Sequence, residues 1–367
     1  MKNVYCYLFL FLFSINTISA QQKPAKYDPI SKPNTYRNFD NPNYWNNKKP
    51  HSDYWQQDVH YQIQANIDEQ KDLIEGVQTL TYWNNSPDDL DVVYFHLYQN
   101  AFQPESHHAE LNEQNNNEID YGPYEQDKKG TEVQSISSVG RRLLLEQDNT
   151  ILKVHLNKPI KSGESIVFDI AFTTYFGLGN MGRRMKKFNS NGKTHYDGVH
   201  WYPRISVYDA KFGWTTDQHL GKEFYGDFGA FDVELTFASN YVVDATGFLL
   251  NRTYVLPADL RAKLDITNFK DKPWNEAASE IIAYNPDERK TWKFHAENVH
   301  DFAFTADPSY RIGEDSWNGI TCYALAQEQH ASKWQNAASY SAQIIQVFSE
   351  DIGMYTYHKM IVADAQD

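Results

Sequence analysis

Cysteine is nearly absent: the 367 residues hold two, Cys6 and Cys322. A disulfide framework is excluded, so burial of a sizeable core has to stabilise the fold. Long apolar runs are equally scarce. The longest, Val4–Phe13, is too short to cross a bilayer, which takes about 20 residues, and no transmembrane helix is expected. Positive charge is in deficit, with 34 Lys+Arg against 48 Asp+Glu and a net charge of −14. That balance argues against a nucleic-acid partner, which calls for a basic face; Arg183-Arg184 and Lys186-Lys187 read as a solvated loop.

Reactive motifs are missing too. There is no G-x-S-x-G elbow and no P-loop, and Gly177–Gly182 precedes no helical pattern, so it reads as a flexible turn. Of the 13 histidines, no two lie four apart, the spacing that places two zinc ligands on one helix face. His195/His200 and His295/His300 are five apart, which turns the rings about 140° from each other on a helix. Cys322 sits in an apparent strand and is expected to be buried. What is plentiful is aromatic: 25 Tyr, 21 Phe and 9 Trp. That supply excludes a mostly disordered chain.

Residues 1–20 have the layout of a secretory signal peptide, with Lys2, then the apolar run, then Ile18-Ser19-Ala20 before Gln21. An exported protein is expected. Residues 21–53 show no period and read as an extended arm with Tyr36, Tyr44 and Trp45 pinned on a neighbouring surface. From Val59 apolar residues alternate through Tyr61, Ile63, Ala65 and Ile67, the mark of a half-buried strand. Further strands are expected at 77–83, 92–98, 133–137, 151–156, 166–172, 231–237, 241–246, 291–296 and 299–304. Gln103–Gly130 reads as a surface insertion, and the Gly- and aromatic-rich stretch 177–226 as the place to look for a surface site. Residues 257–268 suit a short helix. Beyond Tyr310 the pattern changes: a strand at 319–325, one helix over 328–352 closed by Gly353, and a strand opening at Met360. Limited proteolysis is expected to cut near Tyr310–Asn318 or in Gln103–Gly130.

Several segments, in order, resemble bacterial zinc aminopeptidases of the aminopeptidase N family. Leu90–Phe102 is similar to a strand signature of their amino-terminal domain, and Trp201-Tyr202-Pro203 with Gly226–Val233 to its middle. Asn240–Gly247 and Val299–Phe304 look like later strands of that domain. Phe348–Gly353 with Lys359–Val362 resembles the helix and strand that open a thermolysin-like catalytic domain. The match spans about Tyr54 to Asp367.

The resemblance implies a mainly β fold: an antiparallel β-sandwich or saddle domain over 54–310, then the truncated start of an α/β catalytic domain at 311–367. It implies a peptide substrate and zinc in the full-length protein, with metal-bound water attacking the peptide carbonyl. The H-E-x-x-H and G-x-M-E-N segments such enzymes use do not occur within 1–367. These residues alone are therefore expected to bind no zinc and to cleave nothing; their partner would be the missing catalytic domain. Tyr196 and Asp197 match the family loop that walls the first substrate residue. The alternative is a non-catalytic secreted β domain that binds peptides or glycans through aromatic side chains.

Overall fold

The computed structural model describes residues 27–30, 35–180, 184–190, 192–221 and 224–365. The expected leader, 1–20, lies outside them.

In the strand Asp58–Asp68, Val59, Tyr61, Ile63, Ala65 and Ile67 are buried while Gln62, Gln64 and Asn66 are exposed, the two-residue period of a one-faced strand. Leu73–Trp83 pairs with it antiparallel along its whole length. On its other side Gly229–Ala238 runs parallel, and the Tyr61 and Phe231 rings stack 4.6 Å apart. A parallel pair requires a crossover connection; here it carries every intervening element. Among the described residues the sheet has eight strands. It extends to Arg289–Val299 and Phe248–Leu249 at one edge, and to Ser165–Tyr175, Thr131–Ser138 and Arg141–Arg142 at the other. Two four-stranded sheets pack on its apolar face. One contains Leu90–His96 and Ile151–Ile160; the other contains Lys193–Gly198, Phe304–Asp307 and Val242–Ala245. Leu80, Phe95, Val154, Phe168, Phe237 and Trp292 fill the space between, all fully buried. The mainly β architecture matches the expectation.

The arm is pinned where expected. Tyr36 and Tyr44 are buried against Ala230. The buried Asp58 carboxylate accepts hydrogen bonds from the Tyr44 hydroxyl (2.9 Å) and the Trp45 indole (2.7 Å), and Arg37 pairs with it at 2.9 Å.

Elsewhere the structure departs from the sequence reading. Residues 177–226 are not one long loop: Met185–Ser190, Lys193–Gly198 and three two-residue strands lie within them. The insertion 103–130 is built, with helices His107–Gln114 and Pro123–Gln126. The buried Glu125 carboxylate accepts the backbone N–H groups of Leu178 (2.7 Å) and Gly179 (2.9 Å), so the glycine turn is held by a side chain of its own protein. The expected strand 299–304 does not form. Pairing in one sheet ends at Val299 and pairing in another begins at Phe304.

Tyr310–Trp317 is a strand. It pairs antiparallel with Ile320–Gln327 across Asn318 and Gly319, both at positive φ, the two-residue hairpin that Asn-Gly favours. The long helix breaks at Gln335–Asn336 into Ala331–Trp334 and Ala337–Asp351. Its buried face is Ala338, Ser341, Ala342, Ile345 and Ser349, small residues that let it sit close to the strands. Ile344, Phe348 and Ile352, apolar residues of the same segment, are more than half exposed. Gly353 does not close the helix in a left-handed conformation; Ile352 ends it with a right-handed one. Lys359–Ala363 then adds parallel to Ile320–Gln327, and Cys322 is buried beneath.

Candidate functional site

Three parts of the chain converge on a cleft of about 600 Å³. Its floor is the sheet in which Asp197 lies opposite Thr305 and Gly198 opposite Phe304. A Cβ at Gly198 would sit 2.1 Å from the Phe304 ring, so only glycine allows the ring to lie over that strand. One wall is Thr246–Phe248 with the strand end Ala296–Val299; the facing wall is Tyr355–Ile361. Gly247 turns at φ +81°, and a Cβ there would meet the His295 carbonyl oxygen at 2.3 Å.

Lys359 ties the two walls. Its ammonium donates to the carbonyl oxygens of Ala245 (2.8 Å) and Gly247 (2.7 Å) and to the Asp244 carboxylate. The same ammonium lies 5.6 Å from the centre of the Phe294 ring and 6.0 Å from that of Tyr323. A lysine inside an otherwise apolar strand, Lys359–Ala363, is the sequence signal for this tie.

Tyr196 and Asp197, adjacent on one strand, project to opposite faces. Asp197 lines the cleft. Tyr196 is fully buried in the core, its hydroxyl donating to Asp72 at 2.7 Å and its ring 4.6 Å from Phe176.

Behind the cleft lie two imidazoles, each held between carboxylates. His195 has Asp197 at 3.0 Å and Asp307 at 3.1 Å. His295 has Asp232 at 2.8 Å and Glu297 at 3.4 Å. Burial works against the charged ring in both. The carboxylates outweigh it and push each histidine up to about 9. Both are imidazolium at neutral pH, and in each triad one carboxylate, Asp197 or Glu297, belongs to a residue of the cleft.

Next to Glu297 the register of Arg289–Val299 slips: Gly229 opposes Val299 but Ala230 opposes Glu297, leaving Asn298 as the extra residue of a β-bulge. Asn298 has φ +57°, a conformation asparagine tolerates better than most residues. It accepts from the Tyr357 hydroxyl through its carbonyl oxygen (2.8 Å) and from Asn41 through its side-chain oxygen (3.1 Å). Its amide donates to the Tyr27 hydroxyl at 3.0 Å. Glu297 in turn accepts the Thr35 backbone N–H at 2.8 Å and its hydroxyl at 2.5 Å. Sequence reasoning missed Tyr27, Glu297, Asn298 and Lys359; an asparagine interrupting a strand pattern was the available signal for the bulge.

A second histidine group surrounds Tyr98. His96 stacks on that ring at 4.9 Å, and His200 and His219 lie 5.4 and 5.3 Å from it. Burial, then the nearby Arg204 and His219 charges, pushes His96 down to about 3. Burial, then His108 and Arg184, pushes His219 down to about 4. His200, at φ +70°, is also driven well below the usual range, chiefly by burial. Among the described residues no group of three His, Cys, Asp or Glu side chains is placed to hold a metal ion. Zinc therefore does not fit the residues present.

An M1 zinc metallopeptidase from Deinococcus radiodurans superimposes with a TM-score of 0.50 at 14% identity, over 86% of this chain and 57% of that one. The fold is shared. A glutamate-to-alanine variant of the same enzyme matches at TM-score 0.49 and 14% identity, over 84% of this chain and 56% of its own. That variant bound to a Tyr-Ser-Ala substrate matches at 0.48 and 14%, with the same coverage. The chain thus spans a little over half the length of these structures. No family model and no curated protein matches it.

Proposed function

We propose that this chain is the amino-terminal portion of an exported zinc metallopeptidase acting as an aminopeptidase, and that the cleft receives the first residues of a peptide. One observation carries the reading: this cleft lies where the β sheets meet the hairpin-helix-strand unit, with residues of both on its walls. The shared fold and the ordered sequence resemblance support it. Asp197 and the Thr246–Phe248 turn supply one side of the peptide site, with Tyr196 packing behind the strand that carries Asp197. Lys359 holds the opposite wall against them. Zinc and its ligands would come from the catalytic domain of the full-length protein.

The test compares two proteins. Purified 1–367 should contain no stoichiometric zinc and leave aminoacyl anilides intact. A protein extended through the downstream reading frame should contain zinc, release the amino-terminal residue and lose activity to a chelator. A frame that continues without H-E-x-x-H sinks the proposal. Amino-terminal sequencing of exported material should begin at Gln21.

A further inference from the structure

The arm does more than decorate the surface. Tyr27 and Pro29 line the same cleft as Asp197, Phe248 and Tyr357, although 30 residues separate them from the first sheet strand. Their position is fixed from several directions. Tyr27 is hydrogen-bonded to the bulge residue Asn298, and Thr35 donates both its N–H and its hydroxyl to Glu297. The Asp28 carbonyl oxygen lies 3.0 Å from the same Thr35 hydroxyl and shares its one proton with Glu297. Asn41 reaches Asn298 from further along the arm, and Tyr36 and Tyr44 are buried on either side of it. The same Asn298 receives Tyr357 from the far wall. One bulge therefore sets the arm, the sheet and the carboxy-terminal unit relative to one another. A bulge re-aims a side chain out of the ladder, and a left-handed non-glycine backbone is retained only where its surroundings enforce it.

We infer that Tyr27 and Pro29, strapped down through Asn298, form a third wall of the cleft, and that Tyr27 is a specificity-determining residue favouring ligands with an apolar or aromatic first side chain. The proposal rests on the peptide-cleft reading above. Its chemistry comes from the walls. Phe248, Phe304, Tyr357, Met360 and Ile361 line the cleft together with Tyr27, so an incoming side chain meets rings and methyl groups. An aromatic ring opposite Tyr27 gains an edge or offset contact as well as burial. Asn298 is a positioning residue that acts through Tyr27.

The experiment uses the full 1–367 chain and two probes, L-phenylalaninamide and glycinamide, with affinities read by calorimetry or ligand-observed NMR. Tyr27→Ala should weaken phenylalaninamide roughly three- to tenfold, the worth of one aromatic contact, and leave glycinamide unchanged. Tyr27→Phe keeps the ring and should retain the wild-type ratio of the two affinities. Asn298→Gly keeps the left-handed backbone but loses the side-chain bonds; it should lower the same ratio and expose the arm to proteases. If wild type and Tyr27→Ala bind phenylalaninamide equally, the strap is only a structural tie and the inference is overturned while the cleft reading stands. If wild type binds neither probe, both fall.

Discussion

Nδ1 of His195 lies 3.1 Å from a carboxylate oxygen of Asp307, and both side chains are out of reach of solvent. The other ring nitrogen faces Asp197 of the cleft at 3.0 Å. His295 repeats the pattern between Asp232 and Glu297. The second group also holds His60, 3.0 Å from Asp232.

The first prediction concerns alkaline pH. Both histidines stand at about 9 when folded, against about 6.5 for an unperturbed imidazole. The folded state thus binds more protons than the unfolded one between these values. The stabilisation is complete below about 6.5 and disappears as pH rises through about 9. The melting temperature should fall over that interval, and His195→Gln should flatten the fall while lowering the plateau. A wild-type melting curve that does not move between neutral pH and about 10 contradicts the assignment.

The second concerns acid. His96 and His219 are held down to about 3 and about 4, so here the unfolded state takes up protons first. Their contribution is complete above about 6.5 and is lost as pH falls towards 4. His200→Asn keeps a residue suited to positive φ and removes one buried ring. It should make stability less sensitive to pH between about 6 and 4, measured by urea unfolding at stepped pH. An unchanged slope would rule out His200 as a contributor.

The third addresses the tie between the cleft walls. Lys359→Met keeps the apolar stem but leaves the largely buried Asp244 carboxylate and two carbonyl oxygens without their donor. A cost of about 2–4 kcal/mol is expected by urea unfolding. Adding Asp244→Asn to the same protein should recover part of it, because the stranded charge is then gone. Additive losses in the double variant would show that the two side chains do not act as a pair.

Much of the fold was legible because its signals are local. The alternation at Val59–Ile67 reports a one-faced strand wherever that strand ends up, and the small residues of Ala337–Asp351 recur with helical period. Local signals were also misread. Asn318-Gly319 is a strong hairpin motif, and the strand before it, Tyr310–Trp317, is absent from the sequence reading. The helix was carried through Gln335–Asn336, where no proline or glycine marks the break.

Composition and local period by themselves determined that the chain is aromatic-rich, β-dominated and free of a spaced histidine pair, since each of these depends only on which residues occur and at what interval. The cleft depended on tertiary structure. Tyr27, Asp197, Asn298 and Lys359 come from four distant stretches, and nothing in the spacing of 27 and 298 foretells a hydrogen bond between them. Their meeting follows from a parallel crossover and one slipped residue of sheet register. Both are set by how whole strands pair over a shared core, a cooperative outcome that no short window of sequence contains.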